Sequence, residues 1–184
     1  MIDLSILPAR LPTAPNTYGE VTVVRLGSRH IEALTEACRA SADHVKPWLG
    51  AGLCPVTPAA VRKFVQDCEQ KRQDGYGIVY LLMHDNVCLG MGIINHIHPV
   101  HEVANLAYWI RPEACGRNLA VTLCQSLQKL ALSQIQLNRL ELLIEPANKA
   151  SMKVATKLGA QAEGLCKKRI FGRDAYLYAL TSND

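Results

Sequence analysis

Two stretches of this chain each read as a strand that runs through a short polar loop into a helix. The first is Tyr108-Trp109-Ile110-Arg111-Pro112-Glu113-Ala114-Cys115-Gly116-Arg117-Asn118-Leu119-Ala120. The second is Glu145-Pro146-Ala147-Asn148-Lys149-Ala150-Ser151, continuing as a helical pattern to Gly159. A strand that delivers a loop onto a helix N-terminus makes an anion site, because unpaired backbone N–H groups and the positive end of the helix dipole converge there. Two such units side by side predict a slot for a phosphorylated ligand, with Asn148 and Ser151 as polar groups near its reactive end.

The flanking pattern completes an α/β reading. Glu20 to Leu26 alternates like a strand, and Ser28 is placed to cap a helix carrying Ile31, Leu34, Ala37 and Cys38 on one face. The segment His44-Val45-Lys46-Pro47-Trp48-Leu49 is expected to break that helix. Thr57-Pro58 then starts a second one, with Val61, Phe64, Val65 and Cys68 as its apolar stripe and Gly75 beyond its end. Strands are predicted over Tyr76 to His84 and Val87 to His96, around an Asp85-Asn86 turn, and over Val103 to Ile110. A helix from about Arg117 to Ile135, a strand Leu140 to Glu145, a helix Ala147 to Leu158 and strands Ala162 to Phe171 and Asp174 to Leu180 follow. The expected architecture is α/β, a mixed and mostly antiparallel sheet of about seven strands flanked by about four helices.

Length and composition bound the function. The 184 residues suffice for one domain with a sizeable core, 1–184, preceded by an irregular arm to about residue 18 that Pro8, Pro12 and Pro15 mark. The longest apolar run, Ile78 to Met83, is far too short to span a bilayer, and the N-terminus lacks the basic region of a signal peptide. A net charge of +4 is too weak to argue for nucleic acid. Seven scattered cysteines with no C-x-x-C pair argue against a disulfide framework or a zinc site, and for a reducing cytoplasm.

The element order and motifs resemble the GNAT superfamily of acetyl-CoA-dependent N-acetyltransferases. They are most similar to its RimJ/RimL branch, named for acetylation of ribosomal-protein N-termini. The likeness rests on Trp48-Leu49, on Tyr108-Trp109-Ile110 before Pro112-Glu113, on Asn148-x-x-Ser151 followed by Lys157-Leu158-Gly159, and on Glu163-Gly164. It covers the chain from about Glu20 to Leu180. The family's phosphate loop reads Gln/Arg-x-x-Gly-x-Gly/Ala, and the matching run here is Cys115-Gly116-Arg117-Asn118-Leu119-Ala120. Cys115 and Asn118 depart from that pattern. Backbone N–H groups hold the phosphates in such a loop, however, and Asn is the residue that best imitates Gly at positive φ.

What the resemblance implies about chemistry is direct transfer of acetyl from acetyl-CoA to a primary amine, with no metal. The thioester carbonyl would meet a free backbone N–H near Trp109 or Ile110. Ser151 would protonate or solvate the leaving sulfur, and Asn148 would hold the pantetheine amide or orient that hydroxyl. Tyr176 and Tyr178 are rival acids. For the base, relatives carry a glutamate near position 105, where this chain has Asn105; Glu102, Glu141 and Glu145 are the alternatives. An α-amine with pKa near 7.7–8.0 is about a tenth neutral at pH 7, whereas a lysine near 10.4 offers roughly one part in a few thousand. A site without a strong base therefore suits the α-amine of a protein or peptide N-terminus. A small amine (amino acid, polyamine, antibiotic) is the second acceptor class, and a non-catalytic CoA-binding module the third reading. His96, His98 and His101 cluster before the third strand of this region, and Lys167-Lys168-Arg169 form a basic run near the closing hairpin. The sheet edge and the apolar arm also allow a homodimer.

Overall fold

The computed structural model describes residues 2–182. Its strands are β1 (Arg10–Leu11), β2 (Thr22–Arg25), β3 (Gly77–His84), β4 (Val87–His98), β5 (Val103–Ile110), β6 (Arg139–Ile144), β7 (Gln161–Ile170) and β8 (Arg173–Thr181). Its α-helices are α1 (Ile31–Leu49), α2 (Pro58–Gln73), α3 (Leu119–Lys129) and α4 (Lys149–Lys157). The strands form one sheet in the order β1-β2-β3-β4-β5-β6-β8-β7. Every neighbouring pair is antiparallel except β5–β6.

The eighth strand is β1, inside the arm expected to be irregular. Two residues are too few to show a period, yet Arg10 and Leu11 pair with Val24 and Val23. Leu4, Leu7 and Leu11 of this arm are buried against the sheet. The sheet is covered on both faces, which is why β3 reads as an unbroken apolar run. Ile78, Tyr80 and Leu82 pack on the face that holds the arm, α3 and α4, while Val79, Leu81 and Met83 pack under α1 and α2.

Local chemistry accounts for most boundaries. Thr57 accepts the Ala60 N–H at 3.2 Å, so α2 starts on a side-chain cap with Pro58 at its first position. Two expectations need correction. Gly27, not Ser28, precedes the first helical turn, a 3-10 turn over Ser28–His30. And α1 does not break at His44: it runs to Leu49 with Pro47 inside its last turns, ending where the Gly50 N–H meets the Lys46 carbonyl at 3.0 Å. A proline that late removes one bond without capsizing the preceding four turns.

One topological feature positions everything else. β5 and β6 pair only at Val103–Arg139, Ala104–Leu140 and Asn105–Glu141. Beyond that point β5 stays with β4 up to Ile110, while β6 follows β8 up to Ile144. The sheet therefore forks after Asn105. At about 3.3 Å per residue, residues 106–110 give the gap an open edge of roughly 13 Å.

Candidate active site

Strand alternation decides which backbone groups of β5 face the gap. The Glu102 carbonyl accepts from Arg139 N–H at 3.2 Å on the β6 side, and the Arg111 N–H donates to the Leu89 carbonyl at 2.9 Å on the β4 side. Backbone groups of alternate residues point to opposite edges. Leu106, Tyr108 and Ile110 thus turn their N–H and C=O groups into the fork, where no strand meets them. Trp109 is on the other parity, and its backbone belongs to the β4 ladder opposite Met91. Of the pair expected to supply a free N–H, Ile110 faces the gap and Trp109 does not; Tyr108 joins it.

The fork opens into a groove of about 1160 Å³ that runs from the α1 C-terminus to the first turns of α3 and α4. At the α3 end the loop leads into a helix whose first amides are unfilled. Asn118 sits at φ 64, ψ 6, the left-handed conformation that Asn tolerates better than most residues, and its side chain makes no cap bond. Its Oδ1 is turned away to accept from Lys157 Nζ at 3.0 Å. The N–H groups of Leu119, Ala120 and Val121 therefore stand free at the positive end of the helix. Lys149, Lys153 and Lys157 all line the groove, one α4 turn apart, and Lys157 reaches the start of α3. The linear order of the chain hides that stripe; only the helical spacing of four reveals it. A diphosphate-bearing ligand fits these donors in charge, and an extended arm fits the open strand edge leading away from them.

The α4 end differs. Asn148 caps its own helix, its Oδ1 accepting the Ser151 N–H at 3.1 Å. Only its amide donor is left for a ligand, which narrows the role expected of it. Ser151 lines the groove one turn in, beside the Tyr108 hydroxyl, which is buried and makes no hydrogen bond of good geometry among the described residues. Burial pushes that phenol well above the usual tyrosine range, and the Ser151 hydroxyl opposes the shift.

On the opposite side, the floor at the fork is Asn105, whose Nδ2 donates to Asn95 Oδ1 at 2.8 Å, with Glu141 its register partner on β6. Glu141 accepts from Arg139 Nε at 2.7 Å, and Glu145 from Arg173 at 2.7 Å. Arg173 also donates to the Pro47 carbonyl at 2.9 Å, so the β7–β8 turn bridges to the end of α1 over this mouth. Trp48, Phe171, His96, His98 and Arg169 line the same side. Trp109 braces the roof, its indole N–H donating to the Leu53 carbonyl at 3.1 Å.

Most of the residues singled out from sequence meet here: Asn105, Trp109, Ile110, Cys115, Gly116, Asn118, Leu119, Ala120, Asn148 and Ser151 line one groove. Two do not. Glu102 stands at the far end of β5, at φ 53, with its carboxylate accepting from Asn138. It ties the β5 entry to the loop before β6 and is a turn residue. The Arg117 guanidinium lies over the Tyr18 ring at 5.2 Å, away from the loop's inner face. Tyr178 packs in the core and Tyr176 against it, so neither reaches the groove. Cys115 Sγ lies 3.9 Å from His44 Nε2, a proximity the sequence did not announce. Burial, then Glu113, pushes that thiol up, which leaves it poorly nucleophilic. The bulge between Asn95 and His98 puts His96 at φ 53, yet His96 and His98 both line the groove, and His98 stacks on His101 with ring centroids 4.3 Å apart. Among the described residues no three His, Cys, Asp or Glu are grouped to hold a metal ion.

Comparison with known proteins bears on the same region. The acetyltransferase (GNAT) domain profile matches residues 20–161. YdaF of Bacillus subtilis (strain 168), named for ribosomal N-acetylation, is 24% identical over 152 residues, 82% of this chain and 83% of that protein. The ribosomal-protein-serine acetyltransferase of Escherichia coli (strain K12) is 27% identical over 115 residues, 62% of this chain and 64% of its own. The solved structure of RimL, a ribosomal L7/L12 α-N-protein acetyltransferase in complex with coenzyme A, superposes with a TM-score of 0.85 at 21% identity. That superposition covers 94% of this chain and 98% of RimL.

Proposed function

The chain belongs to the GNAT family of acetyl-CoA-dependent N-acetyltransferases, and from that premise we propose that its acceptor is the α-amine of a protein or peptide N-terminus. The observation that carries the site assignment is the open backbone edge of β5 leading to the uncapped start of α3. Residues 116–120 and the lysines of α4 hold the phosphates, and the backbone of Ile110 and Tyr108 pairs with the extended arm as a missing strand would. Acetyl coenzyme A supplies the activated acyl group. The chain's own part is to orient it, to offer N–H groups to the carbonyl as it gains negative charge, and to place Ser151 near the sulfur.

The acceptor enters from the opposite mouth. Asn95, Asn105, Glu141 and Glu145 present oxygen atoms there, and Glu141 is the carboxylate beside the fork in register. Such a lining receives a single ammonium. Segment 40–57, which borders the mouth, contains one acid, Asp43, and so offers little to a polycation. The α-amine reading also draws support from the named activities of RimL and the E. coli relative.

The test is to follow thiol release from acetyl-CoA with a panel of free peptides, N-terminally blocked peptides, polyamines and aminoglycosides. Turnover with free peptides and none with blocked ones is expected. Turnover confined to polyamines or aminoglycosides would overturn the acceptor assignment, and acetyl-CoA binding without turnover on any amine would overturn catalysis itself.

A further inference from the structure

We propose that the Tyr108 hydroxyl is a catalytic residue that donates a hydrogen bond to the thioester sulfur while the carbon–sulfur bond breaks, next to Ser151. This rests on reading the groove as the acetyl-CoA site.

The first support is an unmet need. Tyr108 Oη is fully buried and makes no hydrogen bond of good geometry among the described residues, the nearby Ser151 hydroxyl answering it only weakly. A buried hydroxyl without a partner loses its hydration and regains nothing, and phenylalanine would fill the same space at no such cost. A partner from outside the chain resolves this, and Tyr108 lines the groove by which one can arrive. The second support is convergence. The Tyr108 backbone faces the fork, and its ring packs on the side of α3 and α4 beside the Ser151 hydroxyl. Two hydroxyls, one from β5 and one from α4, therefore meet where the strand edge and the α4 start come together.

The chemistry fits a donor. The amine lone pair forms the new C–N bond, the C–S bond breaks, and its electron pair moves to sulfur. The proton lost by nitrogen ends on sulfur through Ser151 or water. Tyr108 keeps its own proton throughout and stabilises the sulfur as charge builds. Burial suits it to that part by holding the phenol in its neutral form. The neighbouring Cys124 is fully buried and pushed up as well, so no thiolate competes for the hydrogen bond.

Tyr108→Phe should lower kcat by about 100-fold, the lower end of the losses seen when one preorganised donor is removed. KM and Kd for acetyl-CoA should stay unchanged, and the melting temperature should hold or rise because an unpartnered group has been deleted. An unchanged kcat would mean that the hydroxyl is only a packing remnant. A weaker Kd with unchanged kcat would mean that it holds the pantetheine arm instead; either result overturns the inference. Ser151→Ala combined with Tyr108→Phe should lose less than the product of the single losses, since both act on one atom. A full multiplicative loss would contradict a shared target. Wild-type protein that releases no thiol with any amine removes the catalytic reading itself, whereas active wild type with an equally active Tyr108→Phe removes only the present inference.

Discussion

Ala120→Glu is expected to weaken coenzyme A binding by at least about 100-fold while the protein stays as stable as wild type. Both halves follow from the same geometry. Ala120 is the second residue of α3, half-buried and lining the groove beside N–H groups that no cap occupies. A carboxylate in the first turn interacts favourably with the helix dipole and can bond those N–H groups, so folding loses nothing and stands to gain about 0.5 kcal/mol. For the ligand the same change is doubly adverse. The donors that would take the diphosphate are filled from within, and like charges meet across the loop, a juxtaposition that costs several kcal/mol. Calorimetric titration paired with thermal melting separates the two effects. Unchanged affinity with Ala120→Glu would place the phosphates elsewhere. Ala120→Ser, which adds no charge, should bind within a few-fold of wild type.

Gly90→Ala should be the most damaging single methyl group in the sheet near the site. A Cβ there would lie 2.4 Å from the Trp109 carbonyl oxygen and 2.7 Å from Ile110 Cδ1. The oxygen is backbone and cannot swing aside, so β4 and β5 must separate where β5 borders the fork. Overpacking of this kind costs about 3 kcal/mol, which for a chain of this size lowers the melting temperature by on the order of 10 °C. Gly52→Ala is the control, because nothing lies within 4 Å of its added methyl; its melting temperature should match wild type. The same Gly90→Ala variant should lose turnover at temperatures where it remains folded, since the displaced segment carries the Ile110 backbone. Full activity with a lowered melting temperature would indicate that β5 tolerates the shift.

How far the residues announced this arrangement depends on what each signal is made of. Pattern found β5 and α2 nearly to the residue because each buries a regular set of apolar positions, β3 because it is an apolar run between turn signals, and α4 because Asn148 and Gly159 mark its two ends. It missed β1, where two residues pair along an edge, and it ended α1 early, because Pro47 lies close enough to the C-terminus for the helix to survive it. Asn118 was readable as a left-handed residue from its chemistry, and it stands at φ 64. The fork was not readable from the residues themselves; the family resemblance implied it, through the free N–H expected near Trp109 or Ile110. It arises because β5 and β6 are claimed by different neighbours, and pairing between strands distant in sequence leaves no local mark. Tyr108 was missed for the same reason: its side-chain surroundings come from α3 and α4, while in sequence it is one aromatic in an apolar run. Glu102 looked available because a carboxylate before a strand is usually exposed; its bond to Asn138 depends on a residue 36 positions away.

Titration calorimetry of the wild-type protein with coenzyme A asks whether the groove holds that ligand. The forked sheet and the open start of α3 predict saturable binding at one site per chain, well below millimolar ligand. No heat at millimolar coenzyme A would contradict the account at its root.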